Sequence, residues 1–418
     1  MTEQRYDAIV VGARAAGSST AMLLARTGMR VLTVDRATFP SDAISTHQVQ
    51  LPGIARLRRW GLLERLRSAG TPATRHVRFH TPLAVLDGHF PTFDGVDALY
   101  SPRRTVLDAM LVDAAREAGA EVREGFTVDE VVSEDGRVVG IRGREGTGPQ
   151  VTERATIVIG ADGKHSVVAA AVVAQVEREI PARTVASYTY WRGLPTDGGE
   201  VFQKDRRAVG LWPTNDGLTL SYVAWPIEEF ESFRADIESH HVRTLEAMGD
   251  LAERVHAAER AERIRTTPDV PNVVRTPHGP GWALVGDAGL VMDPITGQGI
   301  GDAFADAELV AAAVEAGSSG RTPMDEALAG YRAARDRARL PMWEFTTELA
   351  AFGPAKPEER VLFEALAGNQ EETDRFLGVI TGAIPLREYM TPANLRKVIG
   401  LRGFAKIVVG KARAMRAA

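Results

Sequence analysis

The sequence predicts an α/β protein, with a parallel-sheet unit divided along the chain, an antiparallel β-sheet inserted into it, and a helical region after it. Three observations carry that reading. An apolar run at residues 6–11 opens into a glycine-bearing turn and a helical stretch. A second apolar run, at 282–285, ends in Gly286-Asp287 and leads to another glycine-rich turn and an alanine-rich helix. Between them lie short β-branched and aromatic runs with sheet-like alternation.

Residues 6–11 (YDAIVV) form the first strand, Gly12-Ala13-Arg14-Ala15-Ala16-Gly17 the turn, and 18–26 a helix. Residues 31–34 give a second strand ending in Asp35, with Arg36 beside it. This is the βαβ dinucleotide fingerprint in its required context, with an acid about 20 residues on for a ribose hydroxyl pair. The alternative is a glycine-rich turn in an ordinary α/β domain. Arg14 occupies the place of the middle glycine, which normally lets backbone lie against pyrophosphate. Either its side chain points away, or its guanidinium pairs with phosphate, and the second is the expectation.

The stretch Ala283 to Asp306 supplies the other half of the site. A strand at 282–285 delivers Gly286 and Asp287. Asp293-Pro294 fixes a loop, and Gly297, Gln298, Gly299, Ile300 and Gly301 open a helix whose free N–H groups suit an electron-rich ligand. Residues 104–118 have helical spacing, and 121–143 read as a hairpin turning at Asp135-Gly136.

Strand-like segments at 77–80, 85–93, 185–192, 199–203, 208–212 and 218–225 do not belong to a nucleotide-binding unit. They read as an antiparallel sheet in a second domain. Domain spans follow: 1–73, 98–180 and 262–350 for the first; 74–97 and 181–261 for the second; 351–418 for the helical region. Aromatics concentrate in the sheet, with Tyr188, Tyr190, Trp191, Trp212, Tyr222 and Trp225 in a chain only 6 % aromatic. Tyr190, Trp191, Trp212 and Tyr222 are the candidate pocket walls, and the clustering suggests an apolar, aromatic or polycyclic substrate. Core filling is the competing explanation.

After Pro341 the pattern is helical, with breaks near Gly353-Pro354, Gly368 and Thr391-Pro392. From 394 to 418 there are seven Lys/Arg and no acid, interleaved with apolar residues. Such a helix sits on anionic lipid or covers the protein's own surface.

A net charge of −5 with 25 % charged residues argues against a nucleic-acid partner. No apolar run reaches the ~20 residues needed to span a bilayer. Residues 1–5 run straight into the first strand, so a cytoplasmic protein without a signal peptide is expected. No HExxH or other ligand spacing predicts a metal site.

With the middle motif Gly160-Ala161-Asp162-Gly163-Lys164-His165-Ser166, the two glycine motifs resemble the FAD-dependent class A flavoprotein monooxygenase superfamily. That group includes aromatic hydroxylases, geranylgeranyl-reductase-like enzymes and flavin halogenases. The resemblance covers about residues 1–350 and implies a Rossmann-like FAD-binding domain (GR2-type). It also implies FAD contacts from Gly12, Arg14, Ala15, Ala16, Gly17, Asp35, Arg36, Asp162, Gly163, Gly286, Asp287, Pro294 and the 297–300 helix start. Arg104-Thr105-Val106-Leu107-Asp108 resembles the family's R-x-x-L-D, whose Arg contacts FAD, with Arg103 a possible substitute. Departures are Ala169 where the middle motif usually ends in Arg, Leu290 in a common His slot, and Gly301 in a frequent Asn slot.

With zero cysteines, dithiol redox and cysteinyl-linked FAD are both excluded, so a non-covalent cofactor is expected. A second fingerprint is missing. NAD(P)H therefore visits transiently, or a partner reductase supplies the electrons. His47, in the loop after Asp35, is a candidate base near neutral pH or a substrate-orienting group, and a hydrogen-bonded loop histidine is the bland alternative. Asp293 and Pro294 are expected over the flavin edge in a positional role.

The activity implied is oxygenation of an apolar small molecule by molecular oxygen, through a flavin C4a-hydroperoxide. The rival is a geranylgeranyl-type C=C reductase. A halogenase lacks its W-x-W-x-I-P pattern here, and a non-catalytic binder is the remaining class.

Overall fold

The computed structural model describes residues 5–417, and the side chains of all of these but 402 and 406–417. Its first sheet has five parallel strands in the order Trp282–Leu284, Val151–Gly160, Arg5–Val11, Val31–Asp35, Glu121–Glu124. Trp282–Leu284, residues 155–160, residues 8–11 and residues 31–34 are mostly apolar and buried, as in a sheet covered on both faces, whereas the edge strand Glu121–Glu124 is mostly charged and half-exposed. A hairpin, Phe126–Glu134 with Arg137–Glu145, continues antiparallel from this sheet. Its turn places Asp135 (φ 49°) and Gly136 (φ 77°) in the left-handed region that a two-residue hairpin requires.

Helices Ala15–Arg26, Arg104–Glu117 and Gly299–Ser318 pack together over the sheet. Alanine and glycine on the first and third let the backbones approach closely. A fourth helix, Leu51–Arg59, meets Gly299–Ser318 so tightly that a Cβ on Gly53 would lie 3.2 Å from the Gly301 Cα. That contact favours glycine at 53, while a Cβ on Gly301 would meet Gly53 only at 3.8 Å, an ordinary contact.

The second sheet matches the predicted segments closely, but it is not wholly antiparallel. The hairpin His76–His80/Val85–His89 joins Gly199–Lys204 through a parallel pair, Gly199 opposite Val77. From there Arg207–Pro213, Leu218–Pro226 and Thr184–Arg192 follow antiparallel. The long stretch of chain between the two pieces permits a parallel junction, which a tight hairpin could not make.

One face of this sheet buries Trp191, Phe202, Leu211, Val223 and Trp225 with helices Ile237–Glu246 and Leu251–His256. The other turns Tyr188, Tyr190 and Trp212 toward the first unit's core, as the alternation of strand side chains dictates. The chain after the late motif is helical earlier than expected. Pro341 lies inside one helix, Met324–Leu349, rather than at its start. Breaks at 353–354, 368 and 391–392 do separate the following helices.

The basic stretch from 394 falls mostly on side chains outside those described. Within the described part, Leu401 is exposed and Phe404 packs partly against a cluster that contains Leu366 and Phe376. No helix among the described residues is long and apolar enough to cross a membrane.

Candidate active site

At the amino-terminal turn, glycine is enforced by backbone proximity. A Cβ on Gly12 (φ 101°) would meet the Ala161 carbonyl oxygen at 2.5 Å, and one on Gly17 would meet the Gly12 oxygen at 1.8 Å. The helix Ala15–Arg26 then begins without a side-chain cap, which leaves first-turn N–H groups for a ligand. Asp35 closes the far side: its carboxylate accepts from Ala13 N–H at 2.7 Å and from Ala37 N–H at 2.8 Å. Arg36 is exposed beside it.

Arg14 is directed elsewhere than expected. One terminal nitrogen lies 2.6 Å from Asp108 Oδ2, and the other donates to Ser41 Oγ at 3.0 Å. Both are engaged by protein, which favours the first of the two sequence readings over phosphate pairing. The reason is Asp108, a fully buried carboxylate that also binds Arg104 through both oxygens at 2.9 Å. Two guanidiniums offset its burial. Arg103 does not substitute for Arg104: it stacks 4.7 Å over the Tyr190 ring and pairs with Glu262.

The late motif is built from behind. Gly286 (φ 57°) donates its N–H to Asp306 Oδ2 at 2.9 Å, and Asp306 is paired with Arg339 at 2.5 Å. Arg339 also lies 3.3 Å from Asp302. The next residue, Asp287, is exposed between buried neighbours, and no protein group hydrogen-bonds its carboxylate among the described residues. Surrounding protein nevertheless raises its pKa. A carboxylate at the foot of a deep recess accounts for both. Gly297 (φ 65°) ends the following turn, and the helix from Gly299 also starts without a side-chain cap. Gly299 faces open space, while Ile300 is buried and Gln298 is latched onto Ile380 O at 2.8 Å.

The middle motif completes the wall. Asp162 accepts from Ser166 Oγ and Val167 N–H, both at 2.6 Å, and so caps the short helix there, with Gly163 (φ 81°) turning the chain. Lys164 and His165 close on Asp269 at the surface. Arg275 reaches the carbonyls of Ala288 and Lys164, linking middle and late motifs in the region where the usual motif arginine is replaced by Ala169.

Beyond the late motif, a cleft of about 860 Å³ separates it from the second sheet. Pro294, Ile295, Thr296 and Gly297 form one wall, Gln48 and Gln50 another, and Val77, Phe79, Trp212 and Tyr222 the sheet side. Leu349, Leu377 and Ile380 close it from the C-terminal helices. Among the described residues no charged side chain lines it. Trp212 lies flat across its neighbours because Gly199 and Gly210 leave room: a Cβ on Gly199 would fall 2.1 Å from the indole.

Two of the four predicted pocket aromatics are therefore in the cleft wall and two are not. Trp191 is on the opposite face of the sheet, with its indole N–H on Ser221 Oγ at 2.8 Å. Its odd position relative to Tyr190 sends it there. Tyr190 faces the right way, but its hydroxyl lies 2.7 Å from His47 Nε2, away from the cleft.

His47 is corrected as well. Its backbone is left-handed (φ 64°) and its ring is fully buried, pinned between Ser45 O at 2.8 Å and Tyr190. Burial, aided by Arg104, pulls its pKa down to about 3. The ring stays neutral and does not act as a base near pH 7. Its neighbours Thr46 and Gln48 line the cleft instead.

Asp293 is buried under the wall it supports. It accepts from Thr184 Oγ1 at 2.7 Å and from Ile295 N–H at 3.0 Å, and burial raises its pKa to about 6. These bonds hold the Pro294–Thr296 turn.

Sequence reasoning missed Asp306, Arg339 and Gln50, and placed Asp108 in a motif without a role of its own. The pair Asp306/Arg339 carried no signal beyond a charged residue on each of two helices. Among the described residues no group of His, Asp and Glu could hold a metal ion.

The two uncapped helix starts, the unbonded Asp287 and the glycine positions that admit no Cβ fit a dinucleotide laid across the first sheet, as FAD binding requires. Fold and site together define an FAD-binding protein. The chain belongs to the family described as FAD binding domain, matched over residues 5–345.

Among its relatives, Protein FixC of Salmonella typhi is 34 % identical over 185 residues, which is 40 % of this chain and 39 % of that protein. A tryptophan 2-halogenase of Chondromyces crocatus is 27 % identical over 341 residues, 78 % of this chain and 64 % of that one. This chain thus spans less than two thirds of either relative. The solved structure of the flavin-dependent brominase Bmp2 superposes with a TM-score of 0.80 at 20 % identity, covering 95 % of this chain and 98 % of that one.

Proposed function

We propose that this protein is an FAD-dependent monooxygenase acting on an apolar, aromatic or polycyclic small molecule. The observation that carries the reading is the uncharged cleft between the Pro294–Gly297 turn and the Trp212/Tyr222 face of the second sheet. Residues 12–17, 35, 162–163, 286–287 and 297–300 would hold FAD, which supplies the activation of molecular oxygen when bound and reduced. The chain's own contribution is positional. Trp212, Phe79 and Leu377 exclude water and hold an apolar ring system against the late-motif turn. Asp293 keeps that turn in place.

The single dinucleotide fingerprint supports transient NAD(P)H binding or electrons from a partner reductase. A second reading, halide-dependent substitution on the same substrate class, is favoured by the relatives named as a tryptophan 2-halogenase and a brominase. The geranylgeranyl-type C=C reductase is the third.

One experiment separates them. The holoenzyme is supplied with NADPH or a flavin reductase and a panel of hydroxylated polycyclic aromatics under ¹⁸O₂, then under argon, each with and without bromide. A product heavier by one ¹⁸O supports the monooxygenase. A brominated product that needs oxygen transfers the site to the halogenase reading, and a reduced product under argon to the C=C reductase.

A further inference from the structure

Two buried polar atoms in the cleft wall have no protein partner. The Tyr222 hydroxyl is one; Tyr222 is 7 % exposed. The other is Gln50 Oε1; Gln50 is 4 % exposed. Elsewhere in this sheet, polar side chains of the same size are satisfied: Trp191 by Ser221, Trp225 by Thr244, Tyr190 by His47. A buried hydroxyl or amide oxygen without a partner forfeits its hydration uncompensated, so two in one cleft are expensive to keep.

Their chemistry differs in a useful way. Tyr222 cannot ionise readily, since burial and nearby Asp293 push its pKa well up, so the phenol is a donor. The Gln50 amide is oriented by its own nitrogen, which donates to Thr296 O at 3.3 Å and lies 3.2 Å from Gln48 Oε1. Reversing the amide would set oxygen against both oxygens, so Oε1 is the unpartnered acceptor of a side chain that lines the cleft. The remaining wall, among the described residues, carries no charge.

We infer that Tyr222 and Gln50 select a neutral ring substrate bearing one hydrogen-bond acceptor for Tyr222 and one donor for Gln50, such as a hydroxylated aromatic ketone or quinone. The inference rests on the cleft being the substrate site proposed above. A carboxylate substrate is rejected, because no cation in the wall compensates its desolvation. A hydrocarbon fills the space but leaves both protein atoms unpaired, the situation in which sites built for hydrogen bonds discriminate most strongly.

The test is equilibrium titration of the FAD-loaded protein, followed by the perturbation of the flavin visible spectrum. The probes are 2-hydroxyanthraquinone, anthraquinone, anthracene and anthraquinone-2-carboxylate. The wild type is expected to bind 2-hydroxyanthraquinone at least tenfold more tightly than anthracene or the carboxylate. Tyr222→Phe should weaken both neutral quinones about tenfold and leave anthracene unchanged. Gln50→Met should remove the preference for 2-hydroxyanthraquinone over anthraquinone.

Flavin content of each variant, read from the visible-to-ultraviolet absorbance ratio, confirms an intact site before comparison. Equal affinity for all four probes, or unchanged selectivity in both variants, would overturn the selection while leaving the cleft as a binding site. If no probe, anthracene included, perturbs the wild-type spectrum, the cleft reading falls and takes this one with it.

Discussion

The Arg339 guanidinium lies 2.5 Å from the Asp306 carboxylate, and both side chains are buried beneath the late glycine motif. Asp306 in turn fixes the Gly286 N–H. A long-range ion pair thus sets the backbone from which Asp287 projects. Arg339→Met would leave Asp306 and Asp302 without their cation. The expected cost is about 3–5 kcal/mol, with loss of bound FAD, and thermal melting with flavin-content assays checks both. A variant that keeps full FAD would show that the pair does not hold the motif.

Acid sensitivity should come from two neutral histidines. His47 and His241 are fully buried, His241 between Ser187 and Ser221 at 3.0 Å each, and burial lowers both pKa values to about 3. In the unfolded chain they titrate near 6.5. Their stabilising contribution is complete above pH 6.5 and is lost as pH falls toward 3, by about 1.4 kcal/mol per pH unit for each ring. His47→Asn, which tolerates the left-handed backbone, should flatten the fall in melting temperature between pH 7 and 4.5. An unchanged slope would mean the ring is solvated. Because the ring faces away from the cleft, the same variant should retain the neutral-pH limb of the activity profile.

Asp293 should behave in the opposite sense. Its folded pKa of about 6 lies above the unfolded carboxylate value, so its contribution is most favourable at low pH and disappears as pH rises through 6. Asp293→Asn should therefore raise the melting temperature more at pH 8 than at pH 4, by at most about 3 kcal/mol in stability. Urea denaturation at the two pH values measures the difference, and equal effects would place the carboxylate in water.

The two tryptophans on opposite sheet faces should separate binding from stability. Trp212→Ala should weaken binding of polycyclic probes at least tenfold, since it removes the largest side chain of the sheet-side wall. Trp191→Phe should leave probe affinity unchanged and cost about 1–2 kcal/mol through the lost Ser221 bond and reduced packing. Isothermal titration and chemical denaturation on each variant give the four numbers. A Trp191 effect on affinity would contradict the placement of the two faces.

The strands of both sheets were legible because β-branched runs bounded by glycine, proline and aspartate announce themselves locally. The cofactor turns were legible for the same reason, as Gly12 and Gly17 are demanded by contacts within a few residues or to the adjacent strand. What failed was orientation. Nothing local distinguishes Tyr190 from Trp191, yet one position of strand parity decides which turns toward the first unit's core. His47 is placed by its loop after Asp35, and only Tyr190, more than a hundred residues later, reveals that it is sealed. Arg14 looked like a phosphate ligand until Asp108, from another helix, claimed it. The Pro341 boundary failed because proline in an otherwise strong helix was read as a start.

The parallel junction between Gly199–Lys204 and the hairpin at 76–89 has a consequence for how the chain is made. A ribosome releases the hairpin long before its neighbouring strand exists, and an isolated two-stranded hairpin has little stability in water. The FAD cradle waits longer still, for Trp282–Leu284 to take its place beside Val151–Gly160 and for the helix from Gly299 to follow. Neither half of the site can mature while translation is under way across the first two hundred residues. Nascent chains of this protein should therefore spend most of synthesis with an open strand edge, and cofactor capture belongs to the last third of the message.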